Sequence, residues 1–168
     1  MLPDLNVSSI PVGGTWNVSF KDGLGALENT FFDTLMDWSE NDNLAIRYYS
    51  GSATYSKSID IPASAIGDET WLSLGSVKNI AEVRLNGQDL GIVWKEPWKV
   101  DASSAVKPGE NTLEITVTNL WVNRLVGDTR GDNGHYGRTT MQYHSADESL
   151  SPSGLLGPVS IETRTVVR

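Results

Sequence analysis

The sequence predicts an all-β sandwich, on three observations. Short segments alternate apolar with polar residues, turn-forming residues separate them, and no long amphipathic helix interrupts the series. A half-buried strand shows one face to the core and the other to water, so its side chains alternate with period two. Strands at this spacing close into a sandwich or barrel of about eight or nine antiparallel strands.

Residues 15–20 (TWNVSF) alternate large apolar with polar side chains and are read as an edge strand of the sandwich. Residues 1–14 are read as a linker or irregular N-terminal segment of a single module covering 1–168. The best helical candidate, residues 31–38, is short. Residues 52–61 (SATYSKSIDI) put Ala53, Tyr55, Ile59 and Ile61 on one face, with Lys57 as an imperfection, and Pro62 ends the strand. Residues 71–75 and 80–85 are two further strands, the second setting Ala81, Val83 and Leu85 against Ile80, Glu82 and Arg84. Asn86-Gly87 is a strong hairpin signal because both central residues of a type I′ turn need positive φ. Residues 90–94 return, 103–106 make a turn, and 107–111 (KPGEN) make another. Residues 112–119 send Leu113, Ile115 and Val117 inward, and 157–167 form a last strand. The irregular region is 126–153, rich in Gly, Asp, Arg, His and Tyr; unstructured loops of this length are usually functional or mobile.

Length and charge narrow the function. A 168-residue chain suits one domain with a sizeable core. Its net charge of −8 argues against nucleic acid and against an anionic membrane surface, since both demand Lys and Arg. No apolar run is long enough to span a bilayer, and no signal peptide is visible at the start. With no cysteine there is neither a disulfide nor a thiolate nucleophile.

No motif marks a catalytic centre. A glycosidase needs two carboxyl groups about 5 to 9.5 Å apart, and nothing singles out a pair among the 21 acids. Nucleophile-elbow, phosphate-loop and zincin signatures are absent. His135 and His144 lack the spacing of a zinc pair. Asp128, Asp132 and Asn133 leave a structural calcium open but unassigned, off the EF-hand spacing, and no cofactor is required. Arg130-Gly131-Asp132 is taken as chance.

The segment 71–117 resembles the sugar-binding jelly-roll domain of glycoside hydrolase family 2. Its parts stand in order: a strand ending in Gly75, AEVRLNG at 81–87, Leu90-Gly91, WKEPW at 94–98, Val100-Asp101, KPGEN at 107–111 and the strand after it. Residues 153–159 (SGLLGPV) are similar to that family's closing element, with Leu156 and Gly157 where Tyr and Arg are usual. Residues 118–128 (TNLWVNRLVGD) with 153–158 resemble the C-terminal module of family 106 α-L-rhamnosidase-like proteins. The resemblance spans residues 45–163 and implies a galactose-binding domain-like jelly roll attached to a separate catalytic domain.

Sugars present flat C–H faces bordered by hydroxyls, so a binder needs an aromatic plate with polar groups beside it. The candidate ligand-binding residues are Trp94, Glu96, Trp98, Asn119, Trp121, Asn123, Arg124 and Asp128, with Tyr136, Arg138 and His144 brought by the long loop. Against this, most Trp residues in sandwiches are core; Trp16 and Trp71 are read so and Trp38 is left undecided. Asn123 and Arg124 could instead tie the loop down, Arg124 through a salt bridge to Asp128.

The expected function is a non-catalytic carbohydrate-binding accessory module of a larger glycoside hydrolase, gripping a plant or bacterial glycan at the loop end. Such an enzyme would be secreted or periplasmic and bacterial. The alternative is a purely structural domain packed against the catalytic domain. A free-standing enzyme ranks below both.

Overall fold

The computed structural model describes residues 5–21, 29–131 and 144–166. Within them the chain makes twelve strands, more than the eight or nine expected. The first four are β1 (Leu5–Pro11), β2 (Trp16–Phe20), β3 (Asn29–Phe32) and β4 (Ser52–Ile61). Next come β5 (Glu69–Ser73), β6 (Ser76–Lys78), β7 (Ile80–Leu85) and β8 (Gln88–Val93). The rest are β9 (Lys99–Asp101), β10 (Gly109–Thr118), β11 (Gly154–Gly157) and β12 (Ser160–Val166). A single helical turn, α1 (Leu44–Arg47), follows β3, and a longer helix, α2 (Val122–Arg130), follows β10.

A six-stranded sheet in the order β3-β2-β4-β10-β7-β8 and a four-stranded sheet in the order β1-β12-β5-β9 form the two layers. A two-stranded ribbon of β11 and β6 accompanies them, and every strand pairing is antiparallel. The core is what the alternation predicts: Ala53, Tyr55, Ile59 and Ile61 from β4, Ala81, Val83 and Leu85 from β7, and Leu113, Ile115 and Val117 from β10 are all buried. Leu72, Val100 and Ile161 meet them from the other layer. The Asn86-Gly87 hairpin has φ of 54° and 79° at its two residues, as a type I′ turn requires.

Several expectations are corrected. Residues 5–11, read as linker or irregular, form β1 antiparallel to β12, with Ile10 opposite the buried Ile161. Residues 16–20 are not an edge: β3 adds outside them. The helical candidate at 31–38 begins as β3, and only Trp38–Glu40 makes a 3-10 turn, capped by the Asp37 carboxylate accepting from Ser39 N. The last strand is split at Pro158, whose missing N–H breaks the ladder between β11 and β12. The supposed irregular loop opens with α2.

That helix packs closely through Gly127, where an added Cβ would lie 2.6 Å from Tyr48 Cγ. Helix α2 ends at Gly131, which takes φ of 76° and donates its N–H to the Gly127 carbonyl, a left-handed C-terminal cap.

Candidate functional site

The register decides which loops meet. Ala81 pairs with Val93 on one side and Val117 on the other, and Ile80 pairs with Thr118. Residues 94–98 and 119–121 therefore leave the six-stranded sheet at the same end. Leu74 N donates to Trp98 O at 2.7 Å there, so the 94–98 connection crosses onto the end of β5 and starts β9.

The six tryptophans separate into three environments. Trp16 and Trp38 are buried in the core. Trp94 and Trp121 are exposed, at 66% and 52%. Trp71 and Trp98 are half-buried. Trp71 corrects the reading of it as core: Thr70 and Leu72 are the inward residues of β5, so parity turns Trp71 to the outer face of the four-stranded sheet.

At this end lies an open cleft of about 460 Å³ lined by Ser73, Gly75, Glu96, Pro97, Trp98 and Lys99. Trp98 packs partly on the core and partly on the cleft wall. Glu96 and Pro97 are exposed. Lys99 pairs with Glu162 at 2.5 Å, both partly buried, which fixes its ammonium at the cleft edge. Gly75 has φ of 70° and lies against the Gly157–Pro158 backbone, where any Cβ would collide with main-chain atoms. Gly75 therefore presents bare backbone to the cleft. On the same sheet face, one step along β5 from Ser73, Trp71 sits between Glu162 and Asp101. Ser103 holds the Asp101 carboxyl below its ordinary range through hydrogen bonds from its hydroxyl and its N–H, keeping the group ionised.

The other expected site residues are occupied within the fold. Asn119 is buried; its amide donates to Tyr49 O and its carbonyl accepts from Gly51 N. Asn123 is buried and clamps Ser151, donating to its carbonyl and accepting from its N–H, each at 2.7 Å. Arg124 is fully buried on α2, and Asp128 is one turn along, each engaged by interactions within the fold. Burial, the largest influence, raises the Tyr49 phenol, against smaller lowering by its backbone hydrogen bond at Lys21 and by the Arg124 charge.

His144 contacts the Glu148 carboxylate at 2.9 Å. Arg130 closes the same segment from α2, donating to Ala146 O and Glu148 O. Tyr136, Arg138, His135 and Tyr143 lie outside the described residues, as do Asp132 and Asn133 of the calcium expectation. Among the described residues no cluster of three metal-ligating side chains forms, and no helix is long and apolar enough to cross a membrane.

Of the expected set, then, Glu96 and Trp98 share a cleft, whereas Trp94 and Trp121 stand on exposed surface outside it. The sequence reading did not single out Ser73 and Lys99, which line the cleft, or Glu162 and Trp71, which stand beside it. The alternation of Thr70, Leu72 and Leu74 was signal enough for Ser73 and Trp71. The Lys99–Glu162 pair joins β9 to β12 across β5, and no local pattern encodes it.

A protein of Formosa agariphila that carries the name β-glucuronidase is 37% identical over 92% of this chain, which spans 16% of that protein. The solved structure of a rhamnosidase from Novosphingobium sp. PP1Y superimposes with a TM-score of 0.91 at 36% identity, over 96% of this chain and 16% of that one. A β-D-glucuronidase structure from Dictyoglomus thermophilum, at 19% identity and a TM-score of 0.67 over 95% of this chain and 28% of that one, shares the fold. The pattern of the glycosyl hydrolase 2 galactose-binding domain-like family matches residues 28–145, and the chain belongs to that family.

Proposed function

We propose that this chain is a non-catalytic carbohydrate-binding accessory module of a larger, secreted or periplasmic bacterial glycoside hydrolase, and that the glycan lies in the Glu96–Lys99 cleft. The observation that carries the reading is the composition of that cleft. A half-buried indole and a proline ring offer apolar faces to sugar C–H groups, while a hydroxyl, a carboxylate and an ion-paired ammonium stand beside them as hydrogen-bonding groups. The cleft is open to solvent, which suits a chain of sugars passing across it. Tethered to a catalytic domain, such a site raises the local concentration of substrate. It supplies no chemistry of its own.

The test is a glycan array followed by titration of any hit with tryptophan fluorescence, using Glu96→Ala beside the wild type. Glu96 is exposed, so the variant keeps its fold. Loss of a hydrogen bond to a charged group costs about 1.5 to 3 kcal/mol, roughly a tenfold to hundredfold rise in Kd. Saturable binding that Glu96→Ala leaves unchanged would remove the cleft from the proposal. No binding to any rhamnose-, galactose- or uronate-containing glycan would remove the carbohydrate role.

A further inference from the structure

Seven large hydrophobic side chains are exposed among the described residues, and five of them lie at, or just beyond, one end of the six-stranded sheet: Ile80 at 43%, Ile92 at 61%, Trp94 at 66%, Leu120 at 54% and Trp121 at 52%. Their placement follows from the register. Ile92 pairs with Glu82, so Ile80, two residues from Glu82 on the same face, is its diagonal neighbour. Trp94 continues the β8 face beyond Ile92. Ile80 also pairs with Thr118, two residues before Leu120, and Asn79 N donates to Thr118 O at 3.1 Å. Strand β8 is itself the edge of the six-stranded sheet. Folded proteins rarely leave a contiguous apolar patch, or a sheet edge beside one, open to water.

We infer that this corner is the docking surface for another domain of the same, longer polypeptide. Three observations choose that occupant. The two relatives above 30% identity match nearly all of this chain, yet it makes up 16% of each, so most of their length lies outside this fold. A second copy is disfavoured because each chain carries a net charge of −8, which opposes self-association. A saccharide is disfavoured because three of the five exposed side chains, Ile80, Ile92 and Leu120, are aliphatic. The nearby amides of Asn119 and Asn123 are meanwhile occupied by backbone.

Hydroxyl-radical footprinting of Trp94 and Trp121 tests this, comparing the 168-residue chain with the whole polypeptide its gene encodes. Light scattering reports the mass of the free chain. The inference requires a monomeric free chain in which both indoles oxidise readily, and several-fold slower oxidation of both in the whole polypeptide. In the whole polypeptide, Ile92→Glu with Leu120→Glu is expected to restore the fast oxidation, while the free chain carrying the same pair keeps its melting temperature. Equal oxidation in both forms overturns the inference. So does a free chain that dimerises with both indoles protected, a glycan that protects them, or a gene that encodes nothing further. Glycan binding in the Glu96–Lys99 cleft is read separately, so either conclusion can fail alone.

Discussion

Trp38 and Trp94 share a residue type and nothing else. Trp38 sits among Phe20, Tyr49 and Tyr55, with ring centroids 5.4, 5.7 and 6.4 Å away, and its Nε1–H donates to the Tyr55 hydroxyl at 2.6 Å. Tyr55 in turn accepts from Leu155 N. Trp94 lies one residue beyond the edge strand β8, exposed, with Lys95 Nζ 5.4 Å from its ring. A buried indole needs a partner for its N–H, and the fold built one for Trp38 from a strand two elements away. The exposed indole finds that partner in water. What distinguishes the two is whether the polar end of the ring is provided for, so burial of the polar end, rather than aromatic content, tells a core tryptophan from one held ready for a partner.

The largest expected effect breaks the buried side of this comparison. Trp38→Ala removes the centre of the aromatic cluster and leaves a cavity, at a cost of about 3 to 5 kcal/mol in urea unfolding. A loss below about 1 kcal/mol would mean that the cluster collapses onto the gap. Gly127→Ala comes next. Its methyl must push helix α2 off Tyr48, and overpacking of this kind costs about 1 to 3 kcal/mol, measured by the same melt.

Much of the fold was legible because strand parity is a local property. The inward sets of β4, β7 and β10 follow from alternation alone, and Asn86-Gly87 marked its hairpin through the positive φ it needs. Leu5–Pro11 was not legible, because LNVSSIP reads as a strand only once β12 lies beside it. Helix α2 was hidden for a related reason: its inward side carries Asn123, Arg124 and Gly127, so the apolar stripe that announces a helix is missing. Those polar residues serve the interior, Asn123 by holding Ser151. Their positions near Trp121 made them candidates for a sugar in sequence, and only the hydrogen bonds show where they point. The cleft was half legible: WKEPW supplied Glu96 and Trp98, while Ser73 and Lys99 reach it from strands that pair only in three dimensions.

Tyr55→Phe sharpens the comparison through pH. Burial, the largest influence, raises the Tyr55 phenol well above its ordinary value of 10.0. A raised acid is neutral in the fold when the unfolded chain would already be ionised. Its contribution is therefore complete below pH 10 and is lost as pH climbs toward the folded value, by about 1.4 kcal/mol per pH unit. At neutral pH the variant is destabilised by about 1 to 3 kcal/mol, since Trp38 Nε1–H and Leu155 N–H lose their acceptor. Above pH 10 its stability should fall less steeply than the wild type's, with Tyr49 alone of the pair still titrating. Parallel alkaline curves would show that Tyr55 ionises as readily in the fold as in the unfolded chain, and that burial does not hold it neutral.

The smallest expected effect is the most telling for the exposed side. In the free 168-residue chain, Trp94→Ala and Trp121→Ala each remove an indole more than half exposed, so the unfolding free energy should change by no more than about 0.5 kcal/mol. Asn119→Ala, adjacent in sequence to this surface, should cost about 1 to 3 kcal/mol because Gly51 N and Tyr49 O lose their partners. Residues two apart would then differ several-fold in their effect on the same melt, the amide belonging to the fold and the indole to whatever the fold meets. If Trp121→Ala costs as much as Asn119→Ala, the indole is part of this domain's own stability and the corner loses its claim as a docking surface.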